Sequence, residues 1–247
     1  RFVTSYPRDF GDDVLEVIRD HPRICRYLHV PAQTGSDRLL KLVNRGYEVG
    51  EYLEFLDRAR GYLDQPEIGR PLMVSGDFIV GFPTETDDDF EASMNLLRRA
   101  RYKNSFIFKY SPRPGTVAID KFADDIPEDV KRARNNRMLA EQNAICDEIS
   151  REQVGREFDV FIEGLSPRAR KQRAKAAGAV ALTIGGRAAR DEAPAADAQL
   201  SARTDGDLIV LLDAPAGRDA ASMIGEIVRV LIADAGQLWL NGVVVTG

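Results

Sequence analysis

This 247-residue sequence predicts an α/β domain followed by a small antiparallel β-barrel. Three observations lead there. From the start to about Pro112, short apolar runs alternate with helical repeats, the pattern of successive βα units and hence of a parallel sheet with right-handed crossovers, either open or part of a barrel. A long helical pattern then runs from Pro127 to about Gln153. After Gly155 the period changes to alternation, with Phe158, Val160 and Ile162 sharing one face and Val228, Val230 and Ile232 another, as short strands of a small barrel require.

Taken in order, Phe2 to Thr4 reads as a strand tip and Asp12 to Asp20 as a helix carrying Val14, Leu15, Val17 and Ile18. Tyr27 to Val30 is the next strand. Ser36 caps a helix that turns Leu39, Leu40 and Val43 inward, and a second helical segment from Glu51 carries Leu53, Leu56 and Leu63. In the third strand, Met73 to Val80, the run Phe78, Ile79, Val80 suits burial on both faces. Gly81 and Pro83 stop it. Thr86 caps the following helix, Asp87, Asp88 and Asp89 favour its positive end, and Phe90, Met94 and Leu97 repeat on one face towards Arg101. A strand ending in such a turn presents backbone groups at the carboxyl edge of a sheet, where α/β folds bind ligands. Ser105 to Lys109 is a fourth, aromatic-rich strand that ends in YSPRPGT.

The long helix, with Val130, Ala133, Met138, Ile145 and Ile149 on one stripe, reads as a connector, so the chain divides into 1–127, 128–153 and 154–247. Leu208 to Leu212 and Leu238 to Val245 are further strands. Residues 61–72 look like an insertion, and the alanine-rich 185–198 like a mobile loop.

Composition narrows the function. With 30% charged and 44% hydrophobic residues the chain has the make-up of a soluble globular protein, and no run approaches the roughly 18 apolar residues that span a bilayer. A cytoplasmic location and no membrane partner follow as expectations. The chain opens on Arg1, without methionine or signal peptide, and is expected to be a fragment. Cys25 and Cys146 form no spaced metal motif and read as reduced structural thiols, so no metal ligand is expected. The net charge of −5 disfavours whole-surface attraction to nucleic acid, yet Ser166 to Arg190 holds seven Lys or Arg and no acid, enough for a local phosphate-binding patch.

Four segments sit at the ends of predicted strands: TSYPRDF (Thr4 to Phe10), HVPAQTGSDRLLKLVNRGY (His29 to Tyr47), SGDFIVGFPTETDDDF (Ser75 to Phe90) and FKYSPRPGT (Phe108 to Thr116). In this order they resemble the radical S-adenosylmethionine methylthiotransferases, the last segment looking most like the tRNA-modifying, MiaB-type members. QLSARTDGDLIVLLDAP and the closing LWLNGVVV are similar to the TRAM domain of that family. The resemblance implies a partial (βα) barrel of the radical SAM type followed by an OB-like TRAM barrel. It also implies two 4Fe-4S clusters in the intact protein, S-adenosylmethionine bound to one of them, and an electron donor for cluster reduction. The activity it implies is methylthiolation of an isopentenylated adenosine next to the anticodon of tRNA. No C-x-x-x-C-x-x-C triplet occurs here, so this chain alone is expected to be inactive, with no catalytic residue assigned to it. A monomer is expected.

On that resemblance, cofactor contacts are expected from His29, Gln33, Asp77, Gly81, Phe82, Pro83, Lys109 and Tyr110, with the Gly81 turn free to approach a flat adenine. The tRNA anticodon arm would be met by Arg45 and Arg113 and by the basic run of Arg168, Arg170, Lys171, Arg173 and Lys175. Tyr6, Thr34 and Thr84 depart from the family pattern, which usually has histidine, serine and glycine there. Two other readings stand beside this one: methylthiolation of an aspartate on a ribosomal protein, and a non-catalytic RNA-binding module.

Overall fold

The computed structural model describes residues 1–2, 6–176 and 198–245. The chain forms two compact units, Arg1–Ile149 and Ser150–Gly247. The expected strand tip at Val3 and Thr4 and nearly all of the expected loop at 185–198 lie outside the described residues.

The first unit is built on a three-stranded parallel sheet of β1 (Tyr27–His29), β2 (Met73–Val80) and β3 (Asn104–Lys109), in the order β1-β2-β3. Its helices are α1 (Asp12–Asp20), α2 (Asp37–Leu42), α3 (Val49–Leu63), α4 (Asp87–Ala100), α5 (Val117–Lys121) and α6 (Glu128–Arg151). Side chains alternate across the strands, so the sheet has two unlike faces. Leu28, Val74, Phe78 and Val80 are buried on one, where Phe78 meets Tyr102 edge to face at 5.8 Å. The helices seal that face by reaching backbone carbonyls: Tyr52 of α3 donates to Val30 at 2.7 Å, and Asn135 of α6 to Ile107 at 3.1 Å. The other face carries His29, Ser75, Asp77, Ile79, Asn104, Phe106 and Phe108, aligned by the registers His29↔Ser75, Asp77↔Phe106 and Ile79↔Phe108. Phe106 and Phe108 are 54% and 56% exposed, so β3 is not the covered strand its aromatic content suggests.

α4 starts as its sequence dictates. The Thr86 hydroxyl accepts from Asp89 N while the Asp89 carboxylate accepts from Thr86 N, closing a capping box with aspartate in the usual glutamate place.

α6 is more than the connector expected. Gln142 donates to Tyr102 O at 2.8 Å, the Cys146 thiol to Lys103 O at 2.9 Å, and Lys131 and Arg134 are buried with them, so the helix is a layer of the first unit as far as Ile149. Its inward stripe holds Met138, Ile145 and Ile149, as the sequence indicates, interleaved with Lys131, Arg134 and Gln142, whereas Ala133, assigned to that stripe from the sequence, is exposed. Residues 61–72 complete α3 and return to β2 through a Gln65↔Arg70 bridge. Arg26, 1% exposed, ties that return to α1 by donating to Gln65 at 3.1 Å and to the carbonyls of Ile18 and Arg19.

The second unit is a closed barrel of β4 (Glu157–Leu165), β5 (Leu200–Thr204), β6 (Ile209–Leu212), β7 (Ile227–Ala235) and β8 (Leu240–Val244), in the order β4-β5-β6-β8-β7. Phe158, Val160, Ile162, Val230 and Ile232 fill it, together with Leu200, Val210 and Leu240. The barrel is not wholly antiparallel: β6 and β8 pair in parallel. At Gly242 a Cβ would lie 2.8 Å from Val210 Cγ1, so only glycine lets β8 close over the core. The basic run is helical: α7 spans Pro167–Ala176, capped by Ser166, whose hydroxyl accepts from Ala169 N at 3.1 Å.

Candidate functional site: a cleft at the carboxyl edge of the parallel sheet

The carboxyl ends of β2 and β3 and the loop after β1 meet at one edge. Gln33 extends the sheet there, its N–H donating to Asp77 O at 2.7 Å and its carbonyl accepting from Ile79 N at 2.8 Å. It holds φ +74°, a left-handed conformation uncommon for a residue with a Cβ and kept here by those two bonds. Around it lies a cleft lined by Gln33, Asp77, Ile79, Phe108, Lys109, Tyr110, Ser111 and Arg113. A neighbouring hollow is lined by Gln33, Thr34, Arg45, Ile79 and Phe82, so Gln33 and Ile79 form the wall between the two.

His29 lies below the cleft and is 9% exposed. Its Nδ1 is 2.8 Å from Ser75 Oγ, itself 2.7 Å from the Tyr27 hydroxyl, and its Nε2 is 3.5 Å from Asp77 Oδ2. The ring therefore fixes one oxygen of Asp77. The other, Oδ1, is buried without a hydrogen-bond partner among the described residues. A buried carboxylate oxygen left unpaired costs free energy that a ligand donor would recover.

The turn after β2 is braced from below. Gly81 has φ +71°, and a Cβ there would lie 2.3 Å from Lys131 Cγ. The position a Cβ would take on this glycine is thus filled by the Lys131 side chain of α6. Gly81 N donates to Glu85 Oε2 at 2.7 Å, and Arg134 donates to the same oxygen at 2.7 Å and to Asp87 at 2.7 Å. Burial raises the Glu85 carboxyl above its ordinary range against these bonds. Neither Gly81 nor Pro83 lines the cleft or the hollow.

Thr84 sits at φ +69°, where glycine would be at ease, and is pinned there. Its N–H donates to Asp125 at 2.8 Å, and Arg38 donates to its hydroxyl at 3.1 Å and its carbonyl at 2.7 Å. Arg38 also pairs with Asp89, which accepts from Ser36 Oγ at 2.5 Å. Burial would raise the Asp89 carboxyl, but the bonds from Arg38, Ser36 and Thr86 outweigh it and hold it well below the usual carboxylate range.

At the far wall Tyr110 meets Phe82 edge to face at 5.1 Å and lies under the Lys131 ammonium at 5.4 Å, while Lys109 pairs with Glu128. Arg113 is exposed at the rim. Of the residues nominated from sequence, the fold gathers Gln33, Asp77, Lys109, Tyr110 and Arg113 in the cleft and Arg45 and Phe82 beside it, with His29 behind. Phe106, Arg38, Lys131 and Arg134 were not nominated. Phe106 was legible, since strand alternation puts it on the face of Asp77; the other three carry no local signal.

In the second unit, Arg168, Arg170 and Lys171 are exposed on α7. Arg173 is half-buried, with Nη1 unpartnered among the described residues, and Lys175 lies on the same helix. Among the described residues no group of three or more His, Cys, Asp or Glu is placed to hold a metal ion, and no helix is long and apolar enough to cross a membrane.

Residues 1–97 match the profile of the Radical SAM superfamily. The tRNA-2-methylthio-N(6)-dimethylallyladenosine synthase of Rhodopirellula baltica is 48% identical over 171 residues, 69% of this chain and 34% of the relative. The synthase of the same name from Porphyromonas gingivalis is 41% identical over 172 residues, 70% of this chain and 36% of its own. That of Bacteroides thetaiotaomicron is 34% identical over 242 residues, 98% of this chain and 45% of the relative. The chain thus spans a third to under half of the length of these relatives. Among solved structures, coproporphyrinogen III oxidase (HemN) from Escherichia coli, a radical SAM enzyme, matches 60% of this chain and 32% of its own at TM-score 0.44 and 23% identity. Residues 1–97 are thus a Radical SAM superfamily segment, and the chain is similar to part of these methylthio-adenosine synthases.

Proposed function

We propose that this chain is part of a tRNA methylthiotransferase that modifies an isopentenylated adenosine beside the anticodon, using S-adenosylmethionine and two iron–sulfur clusters reduced by an external electron donor. The observation that carries the reading is the cleft at the sheet edge, where the Gln33 amide, the Tyr110 ring and the side chains of Lys109 and Arg113 line one space. That donor and acceptor set fits S-adenosylmethionine, whose ammonium and ribose hydroxyls need acceptors and whose carboxylate needs a cation such as Lys109 or Arg113. When bound, the cofactor supplies a radical that removes hydrogen from the base. The work of these residues is to orient the reactants and keep water out.

The cluster does not fit this chain's own side chains. Three thiolates are needed to leave one iron open, whereas the chain has two cysteines, and burial raises the Cys146 thiol above its ordinary range. In the intact protein its ligands are therefore other residues. Anaerobic reconstitution of this chain with iron and sulfide should give no iron–sulfur absorbance and no cleavage of S-adenosylmethionine; a cluster with cleavage would overturn this part of the reading.

For the RNA, α7 offers three exposed cations on one short helix. Replacing Arg168, Arg170 and Lys171 with alanine should weaken binding of a tRNA anticodon arm and reduce the slope of log affinity against log salt by about 0.7 per lost contact. An unchanged slope would remove α7 from the RNA interface.

A further inference from the structure

We propose that the open face of the first unit's sheet is the seat of the substrate base: Phe106 and Phe108 form a shelf on which a purine stacks, and Asp77 Oδ1 accepts a hydrogen bond from its exocyclic N–H. This rests on the reading of the chain as part of a nucleoside-modifying enzyme and adds the residues that choose the base.

Four observations carry it. The two phenylalanine rings are close to parallel, 10° apart with centroids 6.3 Å apart, and both are more than half exposed. Two exposed aromatic rings held in register on one strand are a cost in water and a gain under a flat heterocycle. Beside them, the strand pairing sets Asp77 opposite Phe106 and Ser75 opposite Asn104, so Asp77 and Asn104 share the face of the shelf. Among the described residues Asp77 Oδ1 and Asn104 Oδ1 are both buried and without hydrogen-bond partners, the first across the strand pair from Phe106 and the second two residues before it.

The geometry is held rather than incidental. His29 Nε2 lies 3.5 Å from the other Asp77 oxygen and the ring meets Phe106 edge to face at 6.5 Å, so one imidazole borders both the acceptor and the shelf. The shelf selects a planar ligand, and Asp77 Oδ1 selects one that carries an N–H at its edge. An adenine with a hydrogen on its exocyclic nitrogen has both. The base of the RNA is favoured over the adenine of the cofactor because β3 is the edge strand of the sheet, where a base presented by a polymer can enter from the side. Arg113, exposed at the rim of the adjoining cleft, is available to its phosphate.

The test is equilibrium binding of isopentenyladenosine monophosphate to this chain, followed by saturation-transfer NMR and calorimetry, with dimethyladenosine monophosphate as the analogue whose exocyclic nitrogen carries no hydrogen. Isopentenyladenosine monophosphate should bind, with transfer to its base protons, and more tightly than the dimethyl analogue. Phe106→Ala with Phe108→Ala should weaken it about tenfold or more. Asp77→Leu, which removes the acceptor, should erase the preference between the two nucleotides while leaving stacking in place. Both phenylalanines are exposed, so their replacement should leave the melting temperature unchanged, which keeps a binding loss interpretable. Absence of nucleotide binding, or binding that the phenylalanine pair does not alter, would overturn the proposal. So would S-adenosylmethionine competing at the shelf and weakening equally in the same variants, which would make it the cofactor's seat. Loss of the shelf effect while the α7 variants still lose tRNA would discard this inference and leave the proposed function standing.

Discussion

At the scale of single residues, the turn that follows β2 holds its shape against local preference. Thr84 is β-branched and left-handed at φ +69°, a conformation costing of order 1–3 kcal/mol, and it is kept there by Arg38 and Asp125. Thr84→Gly removes that cost and forfeits one hydrogen bond from Arg38 to the hydroxyl, so it should stabilise the first unit by up to about 1 kcal/mol in denaturant unfolding. Asp89, two bonds away through Arg38, ties stability to pH. Its folded-state pKa is depressed below the ordinary 3.8, so its contribution is fully present above about pH 4 and drains as the pH falls below that towards the folded value. Asp89→Asn should lower stability at neutral pH and flatten its decline in that acid range; melting curves at several acid pH values would check this, and an unchanged acid slope would show that Asp89 does not carry it.

At the scale of elements, α6 and the turn that precedes α4 are joined by a buried ion pair. Glu85, with a fully buried side chain, accepts from Arg134, which also holds Asp87. Arg134→Met leaves the Glu85 carboxylate alone beneath the turn and should cost about 3 to 5 kcal/mol, less at acid pH where the carboxyl takes up a proton. Adding Glu85→Gln should recover part of the loss, and a double variant no more stable than Arg134→Met would show that the two do not act as a pair. The same helices show what sequence can tell. α1 and β2 are legible to the residue because their apolar periods are local and their punctuation, Gly11 before one and Gly81 after the other, is strong. α4 is legible because Thr86 and the acids after it announce its start. The inward stripe of α6 is legible at Met138, Ile145 and Ile149 but not at Lys131, Arg134 and Gln142, whose burial only their partners elsewhere in the unit explain. α7 has no apolar stripe to find, and β5 offers only Leu200 and Ala202. In the candidate site, Asp77 follows from strand parity and the motif, whereas the role of Gly81 depends on a lysine fifty residues downstream that no local pattern could indicate.

At the scale of the whole molecule, the two units differ in how complete each is as a folding problem. In the first, the sheet has two edge strands and one open face that carries Phe106 and Phe108. Uncovered edges and faces of this kind favour association, so concentration-dependent aggregation is expected to begin there. The second unit closes its strands into a ring, which leaves no free edge. Its core is supplied by its own residues, from Phe158 and Val160 to Val230 and Leu240, and its entry is fixed by Gly155 N donating to Ile232 O at 2.8 Å. With about 100 residues it is large enough to fold alone. Residues 150–247 expressed separately should therefore unfold in one cooperative transition by circular dichroism, at the midpoint of one transition seen in the whole chain. Gly242→Ala marks that transition. A methyl there meets Val210 at 2.8 Å inside a closed barrel that has no free edge to relax, and overpacking of this kind costs about 1 to 3 kcal/mol. In the whole chain the substitution should lower the barrel's midpoint and leave the other transition in place; if both move together, the two units unfold as one body and the barrel is not autonomous.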